Sequence, residues 1–155
     1  MPLVEEPIAP GADLKTLLGA LTSLKKGDFS VRLPVDWTGI AGKVADAFND
    51  VIELNARMAA ELARLSRIVG KEGKIARRAN LGDVSGSWSE AIESVNALIS
   101  DLAHPTSETA RVIGAVAQGD LSQTMALEID DRPLQGEFLR TAKIVNKMVD
   151  QPGQS

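Results

Sequence analysis

Val44-Ala45-Asp46-Ala47-Phe48-Asn49-Asp50-Val51-Ile52-Glu53-Leu54-Asn55-Ala56-Arg57-Met58-Ala59-Ala60-Glu61-Leu62-Ala63-Arg64-Leu65-Ser66-Arg67-Ile68-Val69 is the stretch on which the fold turns. It holds no glycine or proline. Its large or core-compatible residues fall at Val44, Phe48, Val51, Asn55, Met58, Leu62, Leu65 and Val69, in steps of 4, 3, 4, 3, 4, 3 and 4. That spacing keeps one apolar stripe turned toward a partner helix along the whole length, the pattern of a coiled-coil seam. Asp46, Asp50, Glu53, Arg57, Glu61, Arg64 and, just beyond, Lys71 lie off the stripe. A helix with one dry and one wet face needs partners to stand in water. An ordinary core-facing helix of a globular bundle has the same stripe, and the rest of the chain has to decide between them.

An internal repeat decides it. Gly27, Gly73 and Gly119 are 46 and 46 residues apart, and Gly39, Gly86 and Gly136 are 47 and 50 apart. Each of the latter stands ten residues before an asparagine, at Asn49, Asn96 and Asn146. Phe48-Asn49 with Ile52, Val95-Asn96 with Ile99, and Val145-Asn146 with Val149 repeat the hydrophobic phase along with the glycines. The chain is therefore read as a tandem repeat of 46 to 50 residues.

Within the first repeat, Leu14, Leu17, Leu21 and Leu24 step by 3, 4 and 3 before Lys25-Lys26-Gly27, a cationic last turn followed by a helix stop. Phe29, Val31 and Leu33 then alternate with polar residues, which predicts an extended segment with one buried edge, and Pro34 excludes a central strand. This connector of about 12 residues reaches about 40 Å, enough to run back along a helix of about 21 Å, so the helices it joins are expected to be parallel. Gly39, Gly86 and Gly136 are expected to start helices where a connector crosses close to the bundle.

The other connectors carry Ile75, Ala79 and Leu81, and Leu121, Met125, Leu127 and Ile129, as apolar residues offered to a groove. The seam predicts one unbroken helix from Gly39 to Gly73. The next helix runs from Trp88 through Ile92, Val95, Ile99, Leu102, Thr106, Thr109, Ile113 and Val116. Pro105 within it predicts a bend or local unwinding, with Thr106 or Ser107 satisfying the freed groups. The last helix carries Phe138, Ala142, Val145 and Val149. The resulting division is a flexible lead-in over 1–12, units over 13–58, 59–104 and 105–151, and a tail over 152–155, with Pro-rich and Pro-Gly ends that suit a fragment of a longer receptor.

Composition removes whole classes of function. With no cysteine there is no disulfide, thiolate metal site or cysteine nucleophile, and the composition suits the cytoplasm. The N-terminus is acidic where a signal peptide is basic, and no apolar run approaches the ~20 residues of a membrane span. The net charge of −4 arises from interspersed charges, and aromatics make up 3% of the chain. Neither a nucleic-acid surface nor a base-stacking platform is expected.

Helix, Gly-marked connector, glycine and second parallel helix, in tandem, resemble the HAMP domain of bacterial chemoreceptors and sensor histidine kinases over residues 13–151. The fragments that carry the resemblance are Gly27-Asp28-Phe29 and Gly119-Asp120-Leu121, then Asp36-Trp37-Thr38-Gly39 and Asp83-Val84-Ser85-Gly86. The family's second motif is typically Asp-Glu-x-Gly. Here Trp37 and Val84 stand at the Glu position, the third copy reads Pro133-Leu134-Gln135-Gly136, and Lys74 replaces the aspartate of its neighbours, making the middle unit the most divergent. The resemblance implies an all-α fold of parallel homodimeric four-helix bundles in three concatenated units with extended connectors. It further implies a non-catalytic relay covalently linked to input and kinase or receptor output domains, with no cofactor or metal. Its structural and signalling positions are Gly27, Phe29, Val31, Leu33, Gly39, Gly73, Ile75, Gly86, Pro105, Gly119, Leu121 and Gly136, and its dimer seam is Phe48, Val51, Asn55, Met58, Leu62, Leu65 and Val69.

Chemical motifs are weak. His104 is the sole histidine and lacks the acidic neighbour of a phosphoacceptor, although a phosphotransfer helix is one alternative reading. Gly70-Lys71-Glu72-Gly73-Lys74 lacks the spacing and terminal hydroxyl of a phosphate loop. Glu90 with Glu93 and Asp130 with Asp131 read as solvated faces, and Trp37 and Trp88 as plugs at bundle ends. A plain structural spacer is the other alternative.

Overall fold

In the computed structural model, residues 10–150 are described. The order of elements is α1 (Pro10–Lys25), α2 (Gly39–Leu65), a π-helical turn (Ser66–Lys71), α3 (Gly86–Ala117), β1 (Glu128–Ile129), β2 (Arg132–Pro133) and α4 (Gly136–Val149). The molecule is mostly helical, with four α-helices among the described residues. The lead-in before Pro10 and the tail from Gln151 lie outside the described residues, and α1 already begins inside the stretch expected to be lead-in.

The chain divides into two compact units, residues 1–72 with 79–83, and residues 73–78 with 84–155. Ala20, Leu33, Ala45, Phe48 and Ile52 form the core of the first, with Leu17, Leu24, Phe29, Val31 and Trp37 packed around it. Val112, Met125, Ala142, Val145 and Val149 form the core of the second, with Val116 and Leu134 against it. The cores correspond by position. Ala20 and Val112 each lie seven residues before a connector glycine, and Ala45, Phe48 and Ile52 match Ala142, Val145 and Val149 at six, nine and thirteen residues after the next glycine. An alanine and a phenylalanine in one core stand where the other has two valines, a swap that preserves volume.

Two expectations about the helices need correction. The helix from Gly39 does not continue as an α-helix to Gly73: after Leu65 it passes into the π turn, with the Glu72 amide donating to Arg67 O five residues back at 2.9 Å. Of the two outcomes expected at Pro105, local unwinding does not occur, since α3 is helical from Gly86 to Ala117. Proline's fixed φ suits a helix, so the ring costs one backbone bond without stopping the turn. Pro105 is buried, and the Thr106 and Thr109 hydroxyls donate to Leu102 O and Pro105 O, both at 2.7 Å.

The stripe of α2 is also narrower than its sequence suggests. Ala45, Phe48 and Ile52 face the core, while Val44, Val51 and Leu62 remain exposed and Asn55 turns its amide back onto Val51 O at 2.8 Å. The seam thus lies partly beside the intramolecular core: Phe48 and Leu65 of the seam are buried, while Ala45 and Ile52, each one residue after a seam position, pack in place of Val44 and Val51.

Candidate functional site

The connectors are the most specific local structures, and each is built from its glycine outward. Gly27 adopts a left-handed φ of 86°, which frees the Asp28 amide to reach back to Ser23 O and the Gly27 amide to reach Leu24 O, each at 2.9 Å. This is the helix-closing arrangement that a residue without a Cβ adopts most easily. Asp28 Oδ1 then accepts from the Ser30 amide at 3.0 Å and from its hydroxyl at 2.6 Å. Those bonds, the hydroxyl's first, hold the Asp28 carboxyl below its ordinary value.

Downstream, Phe29 and Val31 are half-buried and Leu33 is buried. The extended backbone at Leu33 is gripped from α2: its amide donates to Asn49 Oδ1 at 2.8 Å, and Asn49 Nδ2 donates to its carbonyl at 3.0 Å. An asparagine amide offers one acceptor and two donors on a short stem, so it substitutes for a neighbouring strand at one residue. Arg32 adds an ion pair to Glu53 at 2.7 Å on the outside.

The third connector repeats this clasp. Gly119 has φ 84°, and the Asp120 amide reaches Ala115 O at 2.9 Å. Asp120 Oδ1 accepts from the Ser122 amide and hydroxyl at 2.9 and 2.5 Å, which lowers its pKa. Asn146 exchanges two bonds with the Met125 backbone, at 2.7 and 3.0 Å. Met125 is the buried residue here, whereas Leu121 and Leu127 are exposed and do not fill a groove. The chain between Met125 and Gly136 closes through a hairpin, β1 pairing antiparallel with β2 around Asp130 and Asp131, both at positive φ. The repeat pattern gave no sign of this hairpin, because an Asp-Asp pair is a less common occupant of such a turn than Asn-Gly or Asp-Gly.

In the middle connector, Ile75 is half-buried, and Ala79 and Leu81 are buried. Glu61 accepts from the Asn80 amide at 2.5 Å and pairs with Arg64 at 2.7 Å, and Arg57 donates to Leu81 O. The Arg64 bond is the main reason the Glu61 carboxyl lies below its usual range. At the position of Asp28 the middle connector has Lys74, whose ammonium cannot accept a hydrogen bond as that carboxylate does.

Gly39, Gly86 and Gly136 do start helices, at φ 62°, 59° and 56°, but an added Cβ would meet nothing within 4 Å at any of them. Their requirement is left-handed backbone rather than a close crossing. The close approach is instead at Gly42, where a Cβ would lie 2.3 Å from Trp37 O. Trp37 and Leu134, each two residues before a helix-starting glycine, pack on the two cores. The position at which the family motif has Glu is therefore an apolar plug in both.

His104 lies exposed on α3, at a cleft of about 480 Å³ lined by Asp101, Arg132 and Phe138 among others. Arg132 and Asp101 pair across it at 3.4 Å. Among the described residues no helix is long and apolar enough to cross a membrane.

Residues 83–152 match the family described as HAMP domain, which places α3, the third connector and α4 within one such domain. HAMP domains generally relay signals in receptors and kinases, usually without catalysis, and are usually embedded in dimeric receptors linked to other domains. No solved structure matches the chain.

Proposed function

We propose that this chain is a non-catalytic relay that passes a conformational bias between linked input and output domains, acting in the cytoplasm as a parallel homodimer of three concatenated units, 13–58, 59–104 and 105–151. The observation that carries the reading is the apolar surface left beside each core. Leu14, Leu18 and Leu21 on α1, Val44, Val51 and Leu62 on α2, Leu98, Leu102 and Ile113 on α3, and Ile144 and Met148 on α4 are all exposed at helical spacing.

A pair of short helices clasping a connector buries one narrow stripe, while a second copy laid along the exposed stripes closes four helices around a common core. At about 1.5 to 3 kcal/mol per fully buried large aliphatic side chain, those stripes represent a strong drive to associate. Signal transmission then consists of a choice between helix packings of similar energy, biased from one end and read at the other.

The native chain has no cysteine, so single cysteines test the arrangement directly. About a two-fold axis along the bundle each seam residue faces its own copy. Cysteines at Val44, Val51 and Leu62 are expected to cross-link to themselves faster under mild oxidation than cysteines at Asp46, Glu53 and Arg57, along the whole of α2. Reactivity confined to one site and decaying on both sides means an antiparallel pair, and a monomer at micromolar concentration removes the dimer and the relay with it.

A further inference from the structure

The two helical spans between connectors differ in length by one residue: Gly39 to Gly73 is 34 positions, and Gly86 to Gly119 is 33. The core contact before each connector glycine records the same difference. Ala20 and Val112 are buried seven residues before Gly27 and Gly119, whereas before Gly73 the buried residue is Leu65, eight residues back. Leu24 and Val116 pack three residues before their glycines, and half-buried Val69 lies four before Gly73. The surplus residue therefore lies between Val69 and Gly73, and the π turn Ser66–Lys71 is where the backbone absorbs it.

Two side-chain pairs bridge this turn, Arg67 to Glu72 at 3.3 Å and Lys71 to Ser66 at 3.3 Å, both spanning five residues. In an α-helix residues five apart point about 140° away from each other and stand about 7.5 Å apart along the axis. These pairs therefore suit the π form and are lost in the α form. None of the turn's residues is buried, and Ile68, Val69 and Gly70 are all poorer helix formers than alanine.

We propose that Ser66–Lys71 is a phase store: a one-residue surplus held as a π turn by the Arg67–Glu72 and Lys71–Ser66 latch, in exchange with an α-helical form. Handing the surplus residue on turns the chain that leaves at Gly73 by about 100° and shifts it by about 1.5 Å relative to α2. As a two-state turn this stands on local geometry; as a signalling element it rests on the relay reading, whose failure the cysteine experiment detects separately.

Backbone scalar couplings across hydrogen bonds, measured on the full chain, distinguish the forms. The native chain is expected to couple Glu72 N to Arg67 C′. The Ser66→Ala, Arg67→Ala double variant should gain a Glu72 N to Ile68 C′ coupling, with the α-form population rising about threefold as two exposed pairs are lost. Relaxation dispersion should grow at residues 66–72 alone, and the charge swap Arg67→Glu, Glu72→Arg on the native background should retain the native couplings. Deleting Gly70 should give uninterrupted i to i−4 bonding at an unchanged unfolding midpoint, while deleting Gly114, where α3 has no surplus, should lower the midpoint. Absence of the Arg67 coupling in the native chain, no greater exchange in the double variant, or equal damage from both deletions overturns the proposal.

Discussion

The first and third connectors solve one problem with chains of different length. Gly27 to Gly39 takes 12 positions and Gly119 to Gly136 takes 17. Both open with Gly-Asp-x-Ser, both bury one aliphatic side chain, and both have that residue's backbone gripped by an asparagine ten residues into the following helix. The additional residues are confined to the hairpin at Asp130 and Asp131, beyond the clasp. The difference teaches where length is free: a loop outside the gripped residue is extended at little entropic cost, whereas the distance from glycine to asparagine is fixed by helix geometry.

The equivalence of the two clasps is broken most directly at the buried residue. Leu33→Ala and Met125→Ala should each cost about 2–5 kcal/mol, as emptied core sites do, while Leu121→Ala should change stability by less than about 0.5 kcal/mol. Urea unfolding with hydrogen exchange read separately in α2 and α4 checks this, and a damaging Leu121→Ala would show that exposure misjudges that side chain. Next in size come Asn49→Ala and Asn146→Ala. Each leaves a partly buried amide and carbonyl without their partner, at about 2 kcal/mol. A large loss at only one of them would make the clasps unequal despite identical geometry.

Gly42→Ala sharpens the contrast at the plug. Trp37 brings its carbonyl against Gly42, so a methyl there should cost about 1–3 kcal/mol, the range of overpacking. The corresponding position in α4 is Leu139, which already carries a side chain, and Leu139→Ala should be milder. Thermal melting of the two variants compares them.

The smallest effect is that of the aspartate turns. The folded pKa of Asp28 and of Asp120 is depressed by serine bonds, so their contribution is present above the unfolded value of about 3.9 and is lost as pH falls through the folded value. Asparagine imitates the protonated form. The stability difference between the native chain and the Asp28→Asn, Asp120→Asn double variant, followed by urea unfolding, should close as pH drops from about 5 to about 2. A constant difference would assign the turns to shape alone.

Much of this was legible beforehand because it is local. Glycines at left-handed positions, heptad steps in α2 and the asparagine grid are consequences of backbone geometry and helical period, and a single chain displays both. The sequence marked Asn49, Asn96 and Asn146 as repeat punctuation and gave no reason for them. For Asn49 and Asn146 the reason appears once an extended segment lies beside the helix, because an amide's value to a distant backbone depends on what is brought next to it.

Sequence alone thus determined the helices, the connector glycines and the repeated phase, since each follows from interactions within a few residues. Tertiary structure alone decided which flank of the α2 stripe packs inward, that Leu134 packs on its core as Trp37 does on the other, and that the surplus residue before Gly73 becomes a π turn. Those outcomes depend on how elements far apart in the chain share one core, where a rotation of a single residue exchanges a buried face for an exposed one.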